Sequence, residues 1–222
     1  MISLNENTKI KITGIIGVFA ALLMYSGDML LYFTDGAYDT SAGLTEYVRI
    51  MSELNPMRLL LGGILGPVSA FFYYIGFMQV HDAIKPPKRF KANVFTCLIG
   101  FYLFIGGTYH FAFCYLGLVG KSGDEEAISA VVQSIEIMQL IASTFLFSAF
   151  IYLIVLILMK KTAYPRWFVL LTPAVLMWLP FDLLPQPLRM IVAGGASNLV
   201  FIPFFIVSTY ILSNRKSDLD YS

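Results

Sequence analysis

Six stretches of this chain are long and apolar enough to cross a bilayer as helices, and they dictate what it can fold into. They are Ile12–Phe33, Met57–Val80, Asn93–Leu118, Ile128–Met159, Trp167–Leu184 and Leu188–Leu212. A spanning helix needs about 20 mostly apolar residues. Composition agrees. Of 222 residues, 58% are hydrophobic and 13% charged, with a mean hydropathy of +0.74. A soluble domain carries about a quarter charged residues, so this chain lacks the polar surface to cover a water-soluble globule. Disordered, collagenous and disulfide-rich secreted classes are excluded with it. The expected fold is an all-α integral membrane protein: a six-transmembrane-helix bundle forming one polytopic domain over residues 1–222.

Orientation follows from the placement of Lys and Arg at the span ends. With the N-terminus in the cytoplasm, 11 of the 15 basic residues fall inside: Lys9, Lys11, Lys85, Lys88, Arg89, Lys91, Lys160, Lys161, Arg166, Arg215 and Lys216. Arg49, Arg58, Lys121 and Arg189 fall outside. Both termini are therefore expected in the cytoplasm, and the cytoplasmic (inner) membrane of a bacterium is the simplest location. The first run continues to Phe33, too far for a cleaved signal segment, and no lipidation motif is present. Pro67, Pro173, Pro180 and Pro203 predict kinks in their spans, because neighbouring helices can satisfy the carbonyls they free.

The longest connection, Thr34–Pro56, holds Leu44, Tyr47, Val48, Met51 and Leu54 at helical spacing, with Glu46, Arg49, Ser52 and Glu53 on the other face. That pattern predicts an amphipathic helix at the outer interface, covering the bundle rim or lidding an opening. Asp35-Gly36 and Gly43 are its flexible flanks. No self-similarity relates residues 1–118 to 119–222, which weighs against an inverted-repeat transporter.

An ionisable group at mid-span costs about 2.5–3.5 kcal/mol on insertion scales, so each such group calls for a reason. Asp28, His110, Glu136, Asp182 and Asn198 are the polar residues set into the spans, and Arg58 and Arg189 flank them as charge partners. At about 1.5 Å per residue, Asp28 and His110 fall in the outer leaflet and Glu136 near the outer interface. Asn198 falls close to the midplane. Gln133, Glu136, Gln139 and Ser143 form one polar stripe on the fourth span. Tyr102, Gly106, Tyr109 or His110, and Cys114 share a side of the third. Gly14, Gly17, Ala21 and Asp28 line up on the first, with Gly62, Gly63, Gly66, Gly106, Gly107, Gly194 and Gly195 offering further close contacts. These faces are expected to converge on an outward-facing pocket whose ligand-binding candidates are Asp28, Tyr109, His110, Glu136, Gln139 and Asn198. Each also has a purely structural reading, as an interface acid, a solvated extension or a helix-to-helix hydrogen bond. The aromatic run Phe71-Phe72-Tyr73-Tyr74 reads as lipid-facing and packing surface.

Several chemistries are excluded. There is no phosphate loop, dinucleotide fingerprint or G-x-S-x-G. One His with two carboxylates would suit zinc poorly, and Cys97 and Cys114 sit apart in apolar runs, so no metal or cofactor is expected. A net charge of +1 gives no face for nucleic acid, and the expected partners are membrane lipids and a small amphiphilic ligand. Three functions stay open. One is binding or transport of a small amphiphile, lipid headgroup or proton. The second is an intramembrane lipid-modifying enzyme in which His110 works with Asp28 or Glu136 in proton transfer. The third is an accessory protein whose polar groups only fix the packing.

Overall fold

The computed structural model describes residues 5–34, 43–84, 89–185 and 187–214, apart from the side chain of Asp182. Asp35-Gly36, Lys85, Lys88, Arg215 and Lys216 lie outside the described residues. Those described are helical, with no β-strand among them. Helix α1 runs Glu6–Tyr32, α2 Leu44–Glu53, α3 Pro56–Ala83, α4 Arg89–Ser122 and α5 Glu125–Leu158. Their starts are set locally. The Asn5 side chain accepts from the Asn7 N–H at 3.1 Å, Asn55 from Met57 at 2.8 Å, and Asp124 from Ala127 at 3.1 Å. Each cap satisfies a backbone donor that the first helical turn leaves open. Pro56 follows Asn55 at the first position of α3, where its missing N–H costs nothing.

The rest of the chain is broken. Trp167–Leu184, expected as a fifth spanning helix, is instead a 3-10 turn over Arg166–Leu171, a single α-turn α6 (Pro173–Leu176) and a second 3-10 turn over Phe181–Leu183. The kinks expected at Pro173 and Pro180 are breaks. Pro165, Pro173, Pro180 and Pro185 each remove a backbone donor and clash with the preceding turn. Helical bonding is therefore cut to short pieces, such as the turn in which Leu176 and Met177 donate to Thr172 and Pro173. The final run divides into α7 (Leu188–Ala193), α8 (Ala196–Leu199) and α9 (Phe201–Ser213), parting at Gly194-Gly195. By contrast, α3 continues through Pro67. Five helices among the described residues are long and apolar enough to cross a membrane: α1, α3, α4, α5 and the joined α8–α9. Their outward faces carry large apolar side chains such as Phe19, Phe71, Phe104 and Ile151, as a lipid environment requires.

Helix α1 packs on α3 and α9, α3 on α4, and α4 on α5, while α5 meets the 166–176 segment. Two contacts fix one end of the bundle. Lys9 pairs with Asp82 at 2.6 Å, and the Ala163 N–H donates to the Ala83 carbonyl at 2.7 Å. This end, called here the basic end, also carries Lys160 and Arg166. It is sealed by Phe77, Phe95, Phe150, Phe201, Phe204 and Phe205, all essentially buried, with ring centroids 5.1–6.4 Å apart where they meet. The opposite end is covered by α2, which packs on α4 and touches α1. Tyr47 of α2 lies edge-on to Tyr32 and Phe113. Its buried side is wider than the expected stripe. Ile50 and Met51 are buried, and so is Glu46, expected on the polar face and here paired with Arg49 at 2.7 Å.

Glycines let the helices touch. A methyl group on Gly76 would stand 2.6 Å from the Gly17 Cα, and one on Gly17 would meet the Phe205 ring at 2.6 Å. In a membrane, where apolar burial supplies little drive between helices, such backbone approach supplies the packing contacts. Gly76→Ala is accordingly expected to cost about 1–3 kcal/mol by overpacking, seen as a lower melting temperature of the purified protein. Gly106→Ala, whose methyl would meet the Tyr102 ring at 3.6 Å, is expected to melt like wild type.

Candidate functional site

Asp28 is placed by the small face of α1. Gly14, Gly17, Ala20, Ala21, Met24 and Gly27 are all buried against neighbouring helices, and the next residue on that face is the acid. Its side chain is buried and shared by three elements. The Asn198 Nδ2 of α8 donates to one carboxylate oxygen at 2.7 Å, and Tyr32 hydrogen-bonds the carboxyl from one turn further along α1. The other oxygen faces His110 Nδ1 of α4 at 3.5 Å. Asn198 in turn accepts from the Tyr73 hydroxyl of α3 at 3.2 Å, which fixes its amide orientation. One connected network thus ties α1, α3, α4 and α8 together.

His110 occupies a slot cut by glycines. A methyl on Gly66 would come within 2.7 Å of its side chain, and one on Gly27 within 2.8 Å of Nε2. The Nε2 sits 3.0 Å from the Gly62 carbonyl, a group that only accepts. That partner assigns a proton to Nε2. In the neutral ring, Nδ1 then presents a lone pair toward Asp28, which as a carboxylate also only accepts. Two acceptors facing each other in a low-dielectric site repel. One proton therefore belongs to the pair, on the imidazole or on the carboxyl.

Beside the network lies a cavity of about 260 Å³. Asp28, His110, Asn198, Tyr73, Tyr102 and Tyr109 contribute to its wall, with Gln139 and Ser143 from α5 and Met177 from the broken segment. Most of the lining is buried or half-buried, but Gln139 and Ser197 are exposed, so the mouth lies between α5 and α8. The phenylalanine cluster closes the space toward the basic end. Toward the α2 end, α5 is largely uncovered, with Ile137 and Leu140 exposed.

Of the residues singled out in the sequence, Asp28, Tyr109, His110, Gln139 and Asn198 are brought to this cavity. Glu136 is not: it is exposed on α5 and absent from the lining. It shares the face of its stripe but stands one turn beyond Gln139, the first member of that stripe to reach the wall. Arg58 is no charge partner of Asp28. Its guanidinium donates to the carbonyls of Met29, Leu30 and Phe33, capping the end of α1. Arg189 donates to the Leu184 carbonyl at 2.9 Å. The side chain of Asp182 lies outside the described residues. The described residues hold no group of three or more His, Cys, Asp or Glu able to take a metal. Sequence reasoning missed Tyr73, which is buried while Phe71 and Tyr74 of the same run are exposed. Its signal was available in its helical position, three residues from Ala70 and Gly76 on the small-residue face of α3.

A bundle of apolar helices closed around a buried polar network defines the class, an integral helical membrane protein. The chain belongs to a family of unknown function, DUF6796, whose model matches residues 1–213. No curated protein and no solved structure matches it.

Asn198→Ala leaves an oxygen of Asp28 and the Tyr73 hydroxyl without their partner. The expected cost is about 1–3 kcal/mol, the penalty for stranding buried polar groups. Combined with Tyr73→Phe, the loss should be less than additive in a double-mutant cycle of unfolding free energies.

Proposed function

We propose that the protein is a membrane-embedded binding protein that takes the polar head of a small amphiphile or lipid into the cavity between α4, α5 and α8. The observation that carries this reading is a cavity whose lining mixes apolar side chains such as Met24, Leu103 and Leu146 with the convergent polar groups Asp28, His110 and Asn198, its mouth between α5 and α8. Ligand sites have this make-up, mostly apolar with few convergent polar groups. A mouth flanked by Leu140 and the uncovered half of α5 suits a molecule that arrives through the membrane. The stripe Glu136, Gln139 and Ser143 would carry a headgroup inward while its tail stays in lipid. Transport of the ligand is a further step on the same site. In the enzyme alternative, Asp28 rather than Glu136 would be the partner of His110.

The matching experiment is a thermal-shift panel of lipids and small amphiphiles on the purified full chain. A compound that raises the wild-type melting temperature by several degrees should lose that effect in Ser143→Phe, which fills the cavity from a half-buried position away from the network. If no compound in the panel shifts the wild type, or if Ser143→Phe responds equally, the binding reading is wrong.

The topology proposed with it has six crossings and both ends in the cytoplasm of a bacterium, the basic end inward by the Lys and Arg bias. The support is that Tyr164 bonds Ser208 at 2.7 Å near the basic end, whereas Met190, further along, is buried against the α2 end with Tyr32. The chain between them therefore traverses the bundle without a continuous helix. Helix α2 would lie at the outer interface. Single cysteines placed at Asn5, Lys161 and Asn214, with Cys97 and Cys114 replaced, should react with an impermeant thiol reagent only in inside-out vesicles. One at Asp124 should react only in right-side-out cells. Asn5 and Asn214 reacting from opposite sides would refute the even count.

A further inference from the structure

We propose that the cavity takes a small organic ammonium ion, and that the ion enters in exchange for the single proton held between Asp28 and His110. The inference rests on reading the cavity as a binding site and names the ligand class of that site.

The charge balance comes first. No lysine or arginine is among the residues lining the cavity. Arg58, the basic group on the nearest turn of α3, is taken up by three carbonyls at the end of α1. The groups that face the pair are neutral: Tyr25 and Tyr32 from α1, Tyr73 from α3, Tyr102 and Tyr109 from α4, and Asn198 from α8. Glu136 of α5 stands outside the lining. An anion would find no lysine or arginine to hold it and would face a carboxylate whenever the pair gives up its proton. A cation meets a carboxylate and tyrosine rings, both of which attract it.

The proton count then sets the stoichiometry. The pair with its one proton is neutral overall. When that proton leaves, Asp28 is a carboxylate and His110 keeps its Nε2 proton on the Gly62 carbonyl. Oδ1 and Nδ1 then present two acceptors to the cavity, 3.5 Å apart. An alkylammonium carries three N–H donors on one nitrogen and can donate to both. The proton and the ammonium thus compete for the same lone pairs. Protonated pair plus ammonium gives ammonium-bound, deprotonated pair plus a released proton, with net charge +1 on each side. The site stays neutral in both states, which a low-dielectric interior favours heavily over a site carrying an extra charge. The separation of 3.5 Å is loose for a direct hydrogen bond, so the pair is only weakly closed on itself and open to a better donor.

The test is calorimetric titration of the purified full chain with n-hexylammonium and with the neutral hexan-1-ol, in two buffers of different ionisation enthalpy. Where the pair is protonated, at the acid end of a titration from pH 5 to 8, about one proton should be released per hexylammonium bound, with none released by the alcohol. At pH values below the deprotonation of the pair, hexylammonium affinity should rise about tenfold per pH unit, and it should level off once the pair has lost its proton. Asp28→Asn should keep the alcohol and lose the ammonium. The proton count needs no variant, so it stands even if that substitution fails to fold. Binding of hexylammonium without proton release overturns the exchange, and equal binding of alcohol and ammonium overturns the cation class. Failure of hexylammonium to bind overturns the inference outright. If the alcohol or a member of the lipid panel still binds, the cavity reading survives that failure; if nothing binds, both fall.

Discussion

The hydrogen-bonded carboxyl of Asp28 is the constraint around which this bundle is arranged. In hydrocarbon a carboxyl group without partners is costly whether it is charged or neutral. The chain meets that cost with groups from four elements: Asn198 of α8, Tyr32 of α1, His110 of α4 and, through Asn198, Tyr73 of α3. None of these elements can move independently without stranding a polar atom. The network therefore sets the register of α8 against α1 and of α4 against α3, contributing order where apolar packing alone would let helices slide.

Glycine makes that convergence possible. Polar side chains of ordinary length reach each other across a helix interface only when the backbones come close. Gly17 against Gly76 brings α1 onto α3, Gly62 leaves room for Leu30 and Leu31 of α1, and Gly27 and Gly66 leave the slot that His110 fills. Gly62 serves twice, since its carbonyl also anchors the imidazole. The small-residue faces and the polar site are one device: the first supplies proximity, and the second specifies which proximity is correct.

Much of this was legible in the sequence because hydrocarbon imposes simple rules. The first four runs appear as helices over nearly the expected ranges, each extended by a turn or so where a cap such as Asn5 or Asp124 lies beyond the apolar core. Asp28, His110 and Asn198 stood out because their presence in such runs is expensive. What was not legible depended on exact depth, on azimuth and on backbone donors. Hydropathy along Trp167–Leu184 measures transfer to lipid and ignores the N–H groups that its prolines remove, so a broken segment reads as a continuous helix. Depth counted along α5 placed Glu136 level with the site, but it lies one turn beyond Gln139, past the end of the cavity lining. Tyr73 was concealed inside a run whose neighbours do face lipid. Arg58 was read by charge, whereas its reach to the open carbonyls at the end of α1 decided its partner.

The broken segment and the site explain each other. Irregular backbone at membrane depth is tolerated where it is buried in protein or lines a polar cavity, since exposed amides in lipid would cost several kcal/mol each. Met177 and Ser197, on either side of the breaks at Pro180 and Gly194-Gly195, both line the cavity, as does Asn198. A continuous helix over residues 167–184 would pack against α5 along its whole length and close the mouth at Gln139. By ending regular structure near Thr172 and Met177, the prolines leave α5 uncovered toward the α2 end and leave the cavity its opening. The feature that defeats a reading of the chain as six regular spans is therefore the one that gives Asp28 and His110 something to face.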